Sequence, residues 1–131
     1  MTEKQDILKL EDVKILVDTF YARVRADKML GPVFEVRIED RWEKHLATMY
    51  SFWQTVLLGE QTYQGRPGAK HITLPVDVAH FERWLVLFFT TVDELFSGEK
   101  ATEAKWRAEK MAAMFSGKIE HYKKHQLRSI L

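Results

Sequence analysis

The chain has 131 residues, 46% of them hydrophobic and 30% charged, which suits one soluble domain around one core. A formal net charge of +1 creates no global field directed at nucleic acid or a membrane surface. The absence of cysteine excludes disulfides, thiolate metal sites and cysteine nucleophiles.

The N-terminus, MTEKQDILKLEDVK, alternates charge and has no apolar signal-peptide core. The longest unbroken apolar run, Trp84 to Phe89, falls far short of a membrane span. These features predict a cytoplasmic protein, with residues 1–131 forming a single domain.

From Lys9 to Asp27, Val13, Leu16, Val17, Phe20, Tyr21 and Val24 recur at helical spacing, with Tyr21 on the side of Val17 and Val24. LGPVF at 30–34 is expected to stop that helix, leaving Phe34 in a corner. A second helix is predicted from about Glu39 to Leu58, with apolar residues at 42, 46, 49, 53, 56 and 57. A glycine-rich loop follows, holding Gly59, Gly65, Pro67 and Gly68. Pro75 is expected to open a third helix, with Val78, Phe81, Trp84, Leu85, Phe88 and Val92 facing inward. After SGEK at 97–100, a last helix is predicted from about Ala101 to Lys124, followed by a fraying basic tail. No strand alternation, repeat or linker is visible, so the fold class is all-α with about four main helices.

Two histidines stand out. His45 interrupts the apolar stripe of the second helix, and His71 arrives on the glycine-rich loop. Tyr21 and Trp84 each bring a further hydrogen-bond donor onto a buried face. Bland readings exist for all four. A lone histidine on an apolar face is more often a satisfied core residue than a ligand, and a loop histidine is usually exposed. Tyrosine and tryptophan on helix faces are mostly core.

Their combination suits a haem site. Iron needs an axial imidazole, and the porphyrin needs flat apolar walls. Phe34, Met49, Leu57, Leu58, Phe81, Phe88, Met111 and Phe115 are candidates for those walls. His80, one turn before Trp84, is a candidate for the haem edge, whereas Lys70 and Arg66 flank the loop and read first as solvated charge. Other metal chemistry fits worse: no histidine has glutamate three residues before it, and His-Glu-x-x-His is absent.

Four blocks in order, FYARVRADKMLGPVF (20–34), HLATMYSFWQTVLLG (45–59), YQGRPGAKHITLP (63–75) and HFERWLVLFF (80–89), make the chain resemble a truncated haemoglobin of group III. The resemblance spans about Lys9 to Ile119. It implies a truncated globin fold, a two-over-two helical sandwich enclosing haem b. By position it implies His71 as the proximal iron ligand and Tyr21, His45 and Trp84 as the distal set. Phe34 corresponds to the phenylalanine packed on the porphyrin, while Lys70, Arg66 and His80 fall among the less uniform propionate contacts.

Three readings of function follow. The first is a haem protein that performs chemistry on O2, NO or peroxide with an external reductase. It is favoured because Tyr21 and Trp84 would hold an oxygen ligand and slow its release, which suits transport poorly. The second is a gas or small-ligand sensor or storage protein, with no fused output domain. The third is a helical interaction protein without haem. The first also carries the expectation of a monomer, with neither nucleic acid nor membrane as partner.

Overall fold

The computed structural model describes residues 3–63 and 76–130, with backbone alone for residue 122 and residues 125–130. Five α-helices account for most of them, and no strand occurs among the described residues: α1 (Leu10–Ala26), α2 (Leu30–Ile38), α3 (Trp42–Leu58), α4 (Val78–Leu95) and α5 (Glu99–Ile130). α1 packs on α3 and α4 packs on α5. α1 also crosses α4, and α3 touches α5, so the two pairs close on each other.

α1 buries the face read from its periodicity: Val13, Leu16, Val17, Phe20, Tyr21 and Val24. Its start is held by Asp12, whose carboxylate accepts the amides of Leu8 at 3.0 Å and Lys9 at 3.2 Å. The expected corner at 30–34 is instead the first part of α2, and Phe34 rides on that helix. Gly31 and Pro32 both lie in its first turn, where the backbone amides have no intrahelical partner to lose. Asp27 caps the turn by accepting the amides of Met29 at 3.1 Å and Leu30 at 3.0 Å. Arg83 of α4 donates to the same carboxylate at 2.7 Å, pinning α2 to α4. Glycine is required at 31 because a Cβ there would meet the Arg25 carbonyl oxygen at 2.7 Å.

α3 begins at Trp42 rather than Glu39, because Glu39 closes α2 with φ of +58°. α4 begins at Val78, capped by Asp77, and the expected start at Pro75 lies outside the described residues. Val78 is 51% exposed and does not face inward as expected. α5 continues to Ile130 where an end near Lys124 and a frayed tail were expected. From Lys118 onward the sequence offers strong helix formers and neither glycine nor proline to interrupt them.

The N-terminal segment staples the α4–α5 turn. Asp6 accepts the amides of Lys100 at 2.9 Å and Ala101 at 2.8 Å at the start of α5. Burial alone would raise the Asp6 carboxyl, but the amides of Lys100, Ile7 and Ala101 outweigh it and hold it below its usual 3.8. A depressed folded value means that the stabilisation is complete above 3.8 and is lost as the pH falls through the folded pKa. Asp6→Ala is therefore expected to cost about 0.5–2 kcal/mol at neutral pH, the worth of a helix cap. Urea unfolding at pH 7 and at about pH 3 checks this, with the gap to the parent closing in acid.

Candidate functional site

An apolar cavity lies where the five helices meet. α1 contributes Phe20 and Tyr21, and α2 contributes Leu30, Val33 and Phe34. α3 adds His45, Met49, Phe52 and Trp53. Val76 precedes α4, which supplies His80, Phe81 and Trp84, and α5 supplies Met111, Ala112 and Phe115. The space between these walls is partly continuous with solvent.

Four polar side chains interrupt these walls: Tyr21, His45, His80 and Trp84. The Tyr21 ring is 6% exposed, and its hydroxyl has no hydrogen-bond partner among the described residues. Burial pushes the phenol well above its ordinary value of 10, so it stays protonated and a donor. The Trp84 indole N–H likewise has no hydrogen-bond partner among the described residues. His45 presents a buried Nε2 and stands perpendicular to Tyr21, with ring centroids 5.0 Å apart. Trp42 backs the pair, 6.1 Å from Tyr21 and 5.8 Å from His45.

The donors are held by aromatic packing. Phe20 meets Tyr21, Trp84 and Phe88 edge-on at 5.0, 5.5 and 5.1 Å. Phe88 stacks against Trp84 at 5.5 Å with an interplanar angle of 8°, and against Trp53 at 5.1 Å with 19°. At the start of α4, His80 Nδ1 lies 3.2 Å from Asp77 Oδ1, and this hydrogen bond draws the Asp77 carboxyl below its usual value. His80 thereby reaches the cavity with its ring oriented by the helix cap.

The expected residues divide clearly. Tyr21, His45 and Trp84 come together in one cavity with Phe34, Met49, His80, Phe81, Met111 and Phe115. Leu57, Leu58 and Phe88 do not line it, contrary to expectation. Leu57 is 1% exposed in the core and, with Leu58, borders a separate hollow beside the N-terminal segment. Phe88 sits behind Trp84 as its stacking base. His71, Lys70 and Arg66 lie outside the described residues.

Sequence reasoning did not assign Phe20, Leu30, Val33, Phe52, Val76 or Ala112 to the walls. Trp53, another omission, was on the recognised stripe but was read as core. Phe52 stands off that stripe, so its periodicity carried no signal.

Among the described residues, no cluster of three or more histidines or carboxylates is placed to hold a bare metal ion. The donor set and walls fit a flat prosthetic group: aromatic faces surround the space, while two donors without hydrogen-bond partners among the described residues line it.

The bacterial-like globin family matches residues 7–117. A group 3 truncated hemoglobin of Campylobacter jejuni is 34% identical over 126 residues, covering 93% of this chain and 99% of that protein. The crystal structure of the group III truncated hemoglobin from Campylobacter jejuni superposes with a TM-score of 0.81, over 89% of this chain and 95% of that one, at 34% identity. With its all-helical architecture and the extent of these matches, the chain belongs to the bacterial-like globins, among the group III truncated haemoglobins.

Proposed function

We propose that the cavity holds haem b with His71 as the axial ligand, and that the protein performs chemistry on O2, NO or peroxide rather than carrying oxygen. When bound, haem supplies a redox-active iron and an open coordination position. One observation carries the reading: Tyr21 and Trp84 bring two donors, without hydrogen-bond partners among the described residues, into a mostly apolar cavity. Donors kept uncommitted in this way are available to a ligand that gains negative charge. Each charge-assisted hydrogen bond contributes about 1.5–3 kcal/mol, and each 1.4 kcal/mol is tenfold in affinity.

A site so furnished releases its ligand slowly, which suits turnover in place and suits delivery poorly. His45 lines the same cavity and can orient a ligand or hold a proton at its imidazole. Val33, Phe34, Phe81 and Phe115 make this part of the wall apolar. Turnover on a diatomic gas requires an electron donor, so a reductase partner is part of this proposal. Among the described residues, no helix is long and apolar enough to cross a membrane.

The test begins with visible spectra of the purified chain reconstituted with haem, with and without CO. The parent is expected to give a haem–CO spectrum, and His71→Ala is expected to lose axial imidazole ligation even if packing retains some haem. Rapid mixing of the oxygenated form with NO then tests the chemistry. Nitrate formation faster than oxygen release supports the reading. Fast oxygen release without accelerated nitrate formation replaces it with a sensor or storage role.

A further inference from the structure

Tyr50 of α3 reaches across to α1 and donates its hydroxyl proton to the Asp18 carboxylate in a short hydrogen bond. Among the described tyrosine side chains, it is the one whose hydroxyl has a carboxylate partner. Partial burial and the hydrogen-bonded Asp18 charge push the phenol up to about 12, so the proton rests on the tyrosine oxygen. Lys14 Nζ lies over the same ring, 5.6 Å from its centroid. A cation there opposes any positive charge left on the ring. An electron therefore leaves this phenol most readily when the proton leaves with it, and Asp18 is placed to take that proton.

Tyr50 also adjoins the cavity wall. Trp53 follows it by three residues on α3, a spacing that brings the two Cβ atoms within about 5–6 Å. Trp53 is 4% exposed and lines the cavity. Its indole stacks on Phe88 at 5.1 Å, and the other face of that ring system leads to Trp84 at 5.5 Å. Oxidisable indoles thus connect the cavity to a half-buried phenol that has its own base. Tyr21, in the cavity itself, has no hydrogen-bonded base among the described residues.

We infer that Tyr50 and Asp18 form a surface port through which phenolic one-electron donors reduce an oxidant held in the cavity, with Trp53 as the link. This rests on the haem reading above for its oxidant, hydrogen peroxide. In each passage Tyr50 loses an electron inward through Trp53 and its O–H proton to Asp18. A neutral phenoxyl radical then stands beside a carboxylic acid. A phenolic donor at the surface gives up one electron and one proton. The electron and the Asp18 proton restore Tyr50, and the donor's proton passes to solvent. Two passages supply two electrons, and solvent supplies two protons, to convert one hydrogen peroxide into two water molecules.

The full-length chain is first oxidised with flash-generated tris(bipyridine)ruthenium(III), and the phenoxyl radical is followed by transient absorption and electron paramagnetic resonance. Tyr50→Phe identifies the Tyr50 signal by its loss. Asp18→Asn keeps the side-chain shape without the base. It is expected to slow Tyr50 oxidation about a hundredfold, the lower end for a positioned base, and to make the rate rise with buffer concentration. A contact that only holds α1 against α3 would move neither reading. A parent-like Asp18→Asn overturns the inference. So does a parent rate equal in light and heavy water, a measurement that needs no variant.

The haem-loaded chain is then mixed with hydrogen peroxide and freeze-quenched, and oxidation of guaiacol is timed in parallel. The parent is expected to show the Tyr50 radical. Trp53→Phe, whose ring is far harder to oxidise, is expected to lose it, and Tyr50→Phe is expected to lose most guaiacol oxidation. An undiminished radical in Trp53→Phe, or parent-like guaiacol oxidation in Tyr50→Phe, overturns the inference. A parent chain that takes up no haem overturns the haem reading and this inference together, whereas a haem-holding parent without a Tyr50 radical overturns this inference alone.

Discussion

Tyr21→Phe in the haem-loaded protein is expected to speed O2 dissociation by about ten- to hundredfold, the range for losing one charge-assisted hydrogen bond. The substitution removes one oxygen atom and leaves the ring. Edge contacts of that ring with Phe20 at 5.0 Å, Phe34 at 6.1 Å, Trp42 at 6.1 Å and His45 at 5.0 Å are retained, so the cavity keeps its shape. Because burial raises the phenol above its ordinary value of 10, the donor persists across the physiological pH range, and the difference between parent and variant is expected to be flat there.

The same atom contributes little to the protein without haem. The hydroxyl lines a cavity partly continuous with solvent, so apo Tyr21→Phe is expected to unfold within about 0.5 kcal/mol of the apo parent. Ligand retention lost at unchanged stability marks a residue kept for function. Stopped-flow O2 release and urea melts of the apo protein provide the two readings. An unchanged off-rate shows that the phenol does not reach the ligand and removes the main support for slow release.

Periodicity told which side of each helix faces inward but not where along that side a cavity opens. On α3 the stripe runs from Trp42 to Leu57, yet the cavity touches it only through His45, Met49 and Trp53, with Phe52 reaching in from beside it. Leu57 and Leu58 continue the stripe beyond the cavity into another contact with the N-terminal segment. On α4, Phe88 obeys the pattern as Trp84 does, one turn later, and is buried by two stacked indoles instead of facing open space. Such distinctions depend on how helices cross, which no single helix encodes.

α2 was missed for a local reason: Gly31-Pro32 breaks a helix interior but is tolerated in a first turn, and only the Asp27 cap marks that turn. Phe52 was missed because it reaches the cavity from beside the stripe. By contrast, Tyr21, His45 and Trp84 were legible because polar groups on apolar helix faces are costly unless they have a use.

Phe88→Ala tests whether that aromatic support is needed. The ring is 1% exposed and touches Trp84, Trp53 and Phe20 at centroid distances of 5.5, 5.1 and 5.1 Å. Truncating a fully buried phenylalanine costs about 3–5 kcal/mol, transfer and cavity terms together. Against a typical total of about 5–15 kcal/mol this removes a large share of the stability, and the melting temperature is expected to fall by about 10–20 °C. Phe88→Leu retains most of the volume and should cost only about 1 kcal/mol, while still abolishing the stack.

The two variants therefore separate bulk from orientation. If Trp84 holds its N–H in place by lying on Phe88, oxygen release accelerates in the leucine variant although its fold is nearly intact. If Phe88 serves only to fill space, release changes in proportion to stability, and the leucine variant behaves as the parent. Tryptophan fluorescence gives an independent reading. The quantum yield and emission maximum of Trp84 and Trp53 depend on the ring between them, so a shift in the leucine variant without loss of helix reports the lost stack directly.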